Sequence, residues 1–397
     1  TYSSTELAEG DTIKSVTVTG SQTNVGSSEN IASDAVIKNA KGEIVTGNYK
    51  ITYKSGTLTV TKAAEATVTI TGKTHTVTYN GEEQSYGEYE VAKSDASIKV
   101  ELKEGETVIA KGTNVDKYDM NLSADLFDIS SENFEKITVT VNNGWLEITK
   151  AELEITADSD SKIYDGKALT KDSFSSTGLV GKDEIESVTV TGSQTEAGSS
   201  DNVASAAVIK NADGEIVTGN YKITYKSGTL EVTPVTAPVT VKVYEASSNV
   251  TYDGQPHSIH GYTKMEADNP LYAATTANIK VTETADWTAT GTDAGEYEVG
   301  IEPGDFQNTN GNFTKVTFVV TDGKLTIEPR KVTLTSASDK KEYDGQPLTN
   351  DTVTVSGDGF VEGEGATYKV TGSQTIVGKS DNEFTYTLNE GTKAENY

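Results

Sequence analysis

"NYKITYKSGTLEVT", residues 220–233, holds two alternating runs joined by Ser227-Gly228. Tyr221, Ile223 and Tyr225 share one face of the first run, and Leu230 and Val232 share one face of the second. Side chains alternate across a strand, so each run reads as a strand with one apolar face. The short Ser-Gly link predicts an antiparallel hairpin between them. The same stretch stands at 48–61 as "NYKITYKSGTLTVT".

Working outward, residues 15–61 and 187–233 differ at only seven of 47 positions. A third copy opens with "KEYDGQPLT" at Lys341, runs through "KVTGSQTIVGKSDN" and reaches "AENY" at Tyr397. A second kind of module lies between these copies. "TYNGEE" (78–83) matches "TYDGQP" (251–256), and "ENFEKITVTVNNGWLEITK" (132–150) matches "GNFTKVTFVVTDGKLTIEP" (311–329). Internal repetition of this kind organises the whole reading. The chain is expected to alternate A-B-A-B-A over 1–62, 63–150, 151–234, 235–330 and 331–397. Pro234, Pro238 and Pro329 fall at or beside the junctions, where they stiffen links. The first A copy lacks the counterpart of 151–172, and the last lacks the "KITYKSGTL" that follows Asn-Tyr in its sisters. These residues are expected to be a window on a longer array, or a fragment of one, with a neighbouring chain completing the cut modules as an alternative.

Asn143-Gly144 and Asp322-Gly323 sit between alternating runs, a pairing that predicts further hairpins because both turn residues need positive φ. A complete module has about 85–95 residues in short strands, the size and rhythm of a β-sandwich. The expected fold class is all-β, a tandem array of β-sandwich modules in an elongated rod (Ig-like by the resemblance given below), with β-grasp-like modules as the alternative. A nine-residue strand spans about 30 Å, so five modules in line would exceed roughly 100 Å. No 3.6-residue apolar period is sustained. The best helical candidate is the short "ADLFDISSENF" (124–134).

Composition narrows the partners. Sixty acidic and 33 basic residues give a net charge of −27, which repels phosphate backbones and anionic membranes. Nucleic acid is not expected as a partner, and neither is membrane insertion, since no apolar run is long enough. The chain has no cysteine, so there is no thiolate chemistry and no disulfide framework. Thr1 is not followed by a signal-peptide pattern.

The triplet Tyr164-Asp165-Gly166 invites a catalytic reading for Asp165. It recurs as Tyr252-Asp253-Gly254 and Tyr343-Asp344-Gly345, but also as Tyr79-Asn80-Gly81. Asn cannot serve as a general acid or base, whereas both Asp and Asn form turns. The triplet therefore reads as a turn with an anchoring tyrosine. "GSQTIVGKS" (372–380) resembles a phosphate-binding loop, yet five residues rather than four separate its glycines, and its sisters have no lysine. It reads as a strand-connecting loop. "DSDSKIYDG" (158–166) alternates acids as a calcium loop does. Asp160 recurs as Asp339, but Asp158 stands where the third copy has Ala337, so a solvated acidic linker is the expected reading and a junctional calcium site the alternative. His257 and His260 fall on opposite faces of a strand and lack further ligands for zinc. Trp145 corresponds to Lys324, so it is not part of the common core, and local packing is expected rather than an exposed contact residue. Trp287 lies in the strand-like "VTETADWTATG" with no aromatic counterpart. No Gly-x-Ser-x-Gly elbow, metalloprotease helix or dinucleotide fingerprint is present. No catalytic, cofactor-binding or metal-binding residue is expected, and no cofactor.

"YDGQPLT", "VTGSQT.VG.S.N", "NYKITY..GTL.VT" and "YDGQPHSI…GTDAGEY…NFTKVTFVVTDGKLTI" resemble the YDG and MBG repeats found in tandem in large bacterial surface proteins, notably of gut Firmicutes. The resemblance covers essentially the whole chain. It implies Ig-like stalk segments of a secreted or cell-wall-anchored adhesin, an extracellular setting, and no catalytic residues to carry over. Surface β-domains of Gram-positive bacteria can cross-link Lys to Asn, and Lys54 with Asn48, or Lys226 with Asn220, are candidates, but on alternating strands such lysines are expected simply to face water. The expected function is a non-enzymatic stalk or spacer. The alternative is a module binding host or dietary glycans or mucin, with exposed tyrosines or Trp287 stacking on sugar rings.

Overall fold

The computed structural model describes residues 1–282 and 286–397; part of "VTETADWTATG" therefore lies outside the described residues. The protein is all-β, with about half its residues in strands. Helical geometry among the described residues is limited to three-residue 3-10 turns such as Thr218–Asn220. The helical candidate at 124–134 is corrected: Ala124–Leu126 is a 3-10 turn, and Phe127–Ser130 is a strand paired antiparallel with Lys99–Leu102. With no apolar face at helical spacing, the stretch takes the strand partner its Phe127 and Ile129 can pack with.

The chain forms two units. Unit 1 is 1–157, 173–190 and 203–227, and unit 2 is 158–172, 191–202 and 228–397. The division passes through 151–234.

In unit 1, strand Ala63–Gly72 lies parallel to Phe134–Asn142 and antiparallel to Tyr89–Lys93. The chain then steps into a second sheet, where Thr74–Thr78 lies parallel to Trp145–Thr149. Lys117–Asp119 pairs antiparallel on the other edge of Trp145–Thr149. Val68 and Ile70 from the first sheet meet Leu146 and Ile148 from the second, each at most 1% exposed. Burying such side chains contributes about 1.5–3 kcal/mol apiece. Strand Ala151–Ala157 repeats the arrangement, parallel to Tyr221–Lys226, with alternate residues Ala151, Leu153, Ile155 and Ala157 buried.

Unit 2 follows the same plan. Val239–Glu245 lies parallel to Val316–Thr321, and Ser248–Thr251 lies parallel to Lys324–Glu328 in another sheet. Gly228–Thr233 pairs parallel with Asp160–Ile163 and antiparallel with the start of Gly198–Lys210.

The expected terminal hairpins are therefore corrected. The runs flanking Asn143-Gly144, Ser227-Gly228 and Asp322-Gly323 do not pair with each other; each pair of runs divides between two sheets. Gly144 and Gly323 have no positive φ. The glycines serve close approach instead. A Cβ on Gly144 would lie 2.3 Å from the Lys73 carbonyl oxygen, and one on Gly72 would lie 2.4 Å from the Gly144 nitrogen. Two parallel strands change sheet at the same level, backbone against backbone, and only Gly leaves room.

Candidate functional site

The Tyr-Asp-Gly turns are superimposable in their bonding. Asp165, Asp253 and Asp344 each accept from the backbone N–H two residues on, at 2.9, 2.9 and 3.0 Å. Asn80 does the same at 3.0 Å. The following glycines have φ of +75, +75, +76 and +81°. This is an Asx turn, and amide and carboxylate serve equally. The Lys162 ammonium, 2.6 Å away, and the Lys167 N–H hold Asp165 below the usual carboxylate range. The Lys341 ammonium does the same for Asp344. For Asp253 the Gln255 N–H leads, with His257 at 2.9 Å. Carboxylates held ionised in this way are poor proton donors at neutral pH. Asp165→Asn is expected to keep the turn and to move the thermal midpoint by no more than about 1–2 °C. A larger fall in scanning calorimetry would give the carboxylate a role beyond the bend.

The tyrosines do more than anchor. In unit 1, Tyr79 reaches across to the next repeat, where its ring meets Tyr221 edge-on at 5.6 Å and 78°. Both hydroxyls donate to Asp183 Oδ2, at 2.8 and 2.7 Å. All three side chains are buried. Unit 2 repeats the cluster. Tyr252 and Tyr397 meet at 5.7 Å and 84°, and their hydroxyls donate to Glu364 at 2.5 and 2.6 Å. Burial, then the carboxylate acceptor, raises the Tyr221 and Tyr252 hydroxyls above the ordinary tyrosine value. Where the partner is Phe313, Tyr164 makes the ring contact alone at 5.7 Å.

Beside each of these contacts sits an asparagine clasp. Asn220 Oδ1 accepts from Val115 N–H at 2.9 Å, and its Nδ2 donates to Asn114 Oδ1 at 2.8 Å. Asn133 takes Val25 N–H at 3.0 Å and donates to Asn24 at 3.2 Å. Asn312 takes Ala197 N–H at 2.6 Å and donates to Glu196. Asn396 takes Ala294 N–H at 2.7 Å and donates to Asp293 Oδ1 at 3.1 Å. In every case the asparagine precedes Tyr or Phe in one repeat, and the receiving loop belongs to the repeat before it. Asn220, Asn312 and Asn396 are buried. An amide supplies both the acceptor and the donor that such a loop needs.

The receiving loops are braced from within. In A copies a glutamine amide donates to the carbonyl just before the offered N–H: Gln22 to Asn24 at 2.6 Å, and Gln194 to Glu196 at 2.7 Å. In B copies a tyrosine does this work: Tyr118 donates to Asn114 and Tyr297 to Asp293, at 2.9 and 3.0 Å. The phosphate-loop look-alike at 372–380 is a loop of the same type, with Gln374 donating to Ile376 at 2.5 Å.

The other sequence candidates are placed as follows. Asp160 bonds the Ser161 N–H and lies 3.9 Å from Lys171, while Asp165 faces Lys162. Among the described residues no group of three or more His, Cys, Asp or Glu is placed to hold a metal ion. His257 pairs with Asp253 and His260 with Thr288. Trp145 lies under the Lys117 ammonium at 3.5 Å. Trp287 is 8% exposed, stacked on Phe306 and bonded to Asp305, so it offers no face to a sugar. Lys226 pairs with Glu154 at 2.7 Å while Asn220 closes its clasp, so this Lys–Asn pair is not brought together.

Residues 153–231 match the MBG domain (YGX type). The MBG match takes in Tyr164, Asp183, Asn220 and Tyr221, together with the braced loop at Gln194. No curated protein matches the sequence. A solved structure of the N-terminal eight Ig domains of Down Syndrome Cell Adhesion Molecule isoform 1.30.30 aligns with 93% of this chain, at 11% identity and a TM-score of 0.13. The chain spans 55% of that structure's length. At that score the likeness adds nothing to the fold derived from the strand pairing.

Proposed function

We propose that the chain is a non-catalytic structural spacer from an extracellular bacterial surface protein, possessing repeats that fix one another through the asparagine clasps. The observation that carries this reading is where the recurring polar side chains fall. From copy to copy they close joints between successive repeats or hold turns, and the one recurring acid triplet is held ionised in an Asx turn. Repeats built this way add length and stiffness. An MBG match over 153–231 fits a repeat of a surface protein or adhesin. Among the described residues no helix is long and apolar enough to cross a membrane.

A glycan and mucin array at high protein concentration tests the reading. The spacer predicts no saturable signal. Saturable binding to a defined sugar, lost on substitution of exposed Tyr386 or Tyr343, would replace it with an adhesive function.

A further inference from the structure

In the repeat at 63–150 the chain enters and leaves at opposite ends of one seam. Its first strand, Ala63–Gly72, has Ala63 opposite Phe134 and Thr71 opposite Asn142 on the parallel strand. Its second, Thr74–Thr78, has Thr74 opposite Trp145 and Thr78 opposite Thr149. Gly72 and Gly144 bring both strands through the change of sheet side by side, so the seam continues from one sheet into the other. The chain enters at Ala63 and leaves at Thr149, about 50 Å further along. An antiparallel hairpin at Asn143-Gly144 would have returned the exit to the side of the entry.

Side chains cross the same seam. Lys136 Nζ meets Glu65 Oε1 at 3.0 Å, the Asn142 amide donates to Thr71 Oγ1 at 3.3 Å, and Thr149 Oγ1 donates to the Val77 carbonyl at 3.0 Å. The repeat at 235–330 has the same layout, with Val239 opposite Val316, Tyr244 opposite Thr321, Ser248 opposite Leu325 and Thr251 opposite Glu328. There Thr317 Oγ1 donates to the Val239 carbonyl at 3.3 Å, and the Asn249 amide to Glu328 Oε1 at 2.8 Å. Pulling such a repeat by its own entry and exit slides parallel strands past each other lengthwise. The ladder bonds run across that direction, so they share the load and fail together. Sliding also drags Val68, Ile70, Leu146 and Ile148 through a close-packed core. Strands pulled apart from one end lose their bonds one at a time instead.

We propose that these repeats are load-bearing clamps, in which tension along the chain meets two parallel strand pairs in shear. The proposal rests on the spacer reading, since a spacer passes tension along its length. The arrangement slows unfolding under load, the quantity that forced unfolding reads.

Single-molecule pulling on the whole chain tests this. The chain has no cysteine, so handles attach only where cysteines are placed. Lys62→Cys with Lys150→Cys loads the seam of the 63–150 repeat lengthwise. Lys62→Cys with Glu132→Cys peels Ala63 away from Phe134. All three positions are exposed. At one loading rate the lengthwise pair is expected to open at the higher force. It should release about 250 Å of chain in a single step, the extended length less the folded separation. Equal force in the two geometries, a lower force for the lengthwise pair, or gradual lengthening without a step would overturn the proposal. Saturable glycan binding would remove the spacer reading and leave this force comparison standing, so the two fail separately.

Discussion

Replacing Asn220 with alanine is expected to destabilise unit 1 by about 2–3 kcal/mol, while Asn48→Ala changes stability by no more than about 0.5 kcal/mol. The two asparagines occupy the same place in nearly identical sequence, each before "YKITYKSGTL". They differ in surroundings. Asn220 is 6% exposed and bonded to Val115 and Asn114, whereas Asn48 is exposed. Alanine at 220 leaves the half-buried Val115 N–H without its partner, an orphan that costs about 1–3 kcal/mol, and also removes the bond to the exposed Asn114. For a unit of this size the thermal midpoint should fall by roughly 4–10 °C. Urea unfolding followed at Trp145, which belongs to unit 1, reads the difference. Equal effects of the two substitutions would mean that the clasp contributes nothing and that local backbone preference explains both.

Alkaline pH should loosen the same joint. Burial leads in raising the hydroxyls of both Tyr79 and Tyr221, and their shared acceptor Asp183 adds to it. In the unfolded chain these hydroxyls titrate near the ordinary value of 10.0. Above that pH the unfolded chain has released protons that the folded chain still holds. The joint's stabilisation is therefore complete below pH 10 and declines as pH rises toward the folded values. The slope is about 1.4 kcal/mol per pH unit for each hydroxyl, so the pair approaches roughly 2.7 kcal/mol per unit. Urea titrations between pH 9 and 11.5 should show this fall in the wild type. It should be much reduced in a Tyr79→Phe, Tyr221→Phe double variant, which lacks both ionisable groups. Parallel pH profiles for the two proteins would remove the hydroxyls from the energetics of the joint.

Much of the fold was legible because its signals are local. Alternation in Ala151–Ala157 and Val239–Glu245 places every second residue inside, as period-two patterning predicts. The Asp-to-Asn exchange at position 80 identified the turn, because it separates a backbone requirement from a proton-transfer one. The expected terminal hairpins are absent for a physical reason. Asn-Gly and Asp-Gly are usually required by positive φ, but here Gly144 and Gly323 are required by the approach of another backbone. That other strand starts about 70–80 residues earlier, and no local pattern reports it. The clasps were missed on similar grounds. The Asn-Tyr and Asn-Phe dipeptides recur visibly, but Asn220 bonds a loop 105 residues away and Asn133 one 108 residues away. A single sequence does not link positions so far apart. The tyrosines' second role was hidden likewise, since the Tyr79 hydroxyl finds its acceptor 104 residues on.

The spacer reading requires that, within each unit, these joints hold successive repeats in fixed relation. Because the chain has no cysteine, two spin labels can be placed without ambiguity at Glu104→Cys and Asp213→Cys, exposed positions in neighbouring repeats of unit 1. Pulsed electron–electron double resonance then reports their separation directly. The account predicts one narrow distance distribution that broadens when Asn220→Ala is added. A broad distribution in the otherwise unaltered protein, or a narrow one indifferent to Asn220, would contradict it.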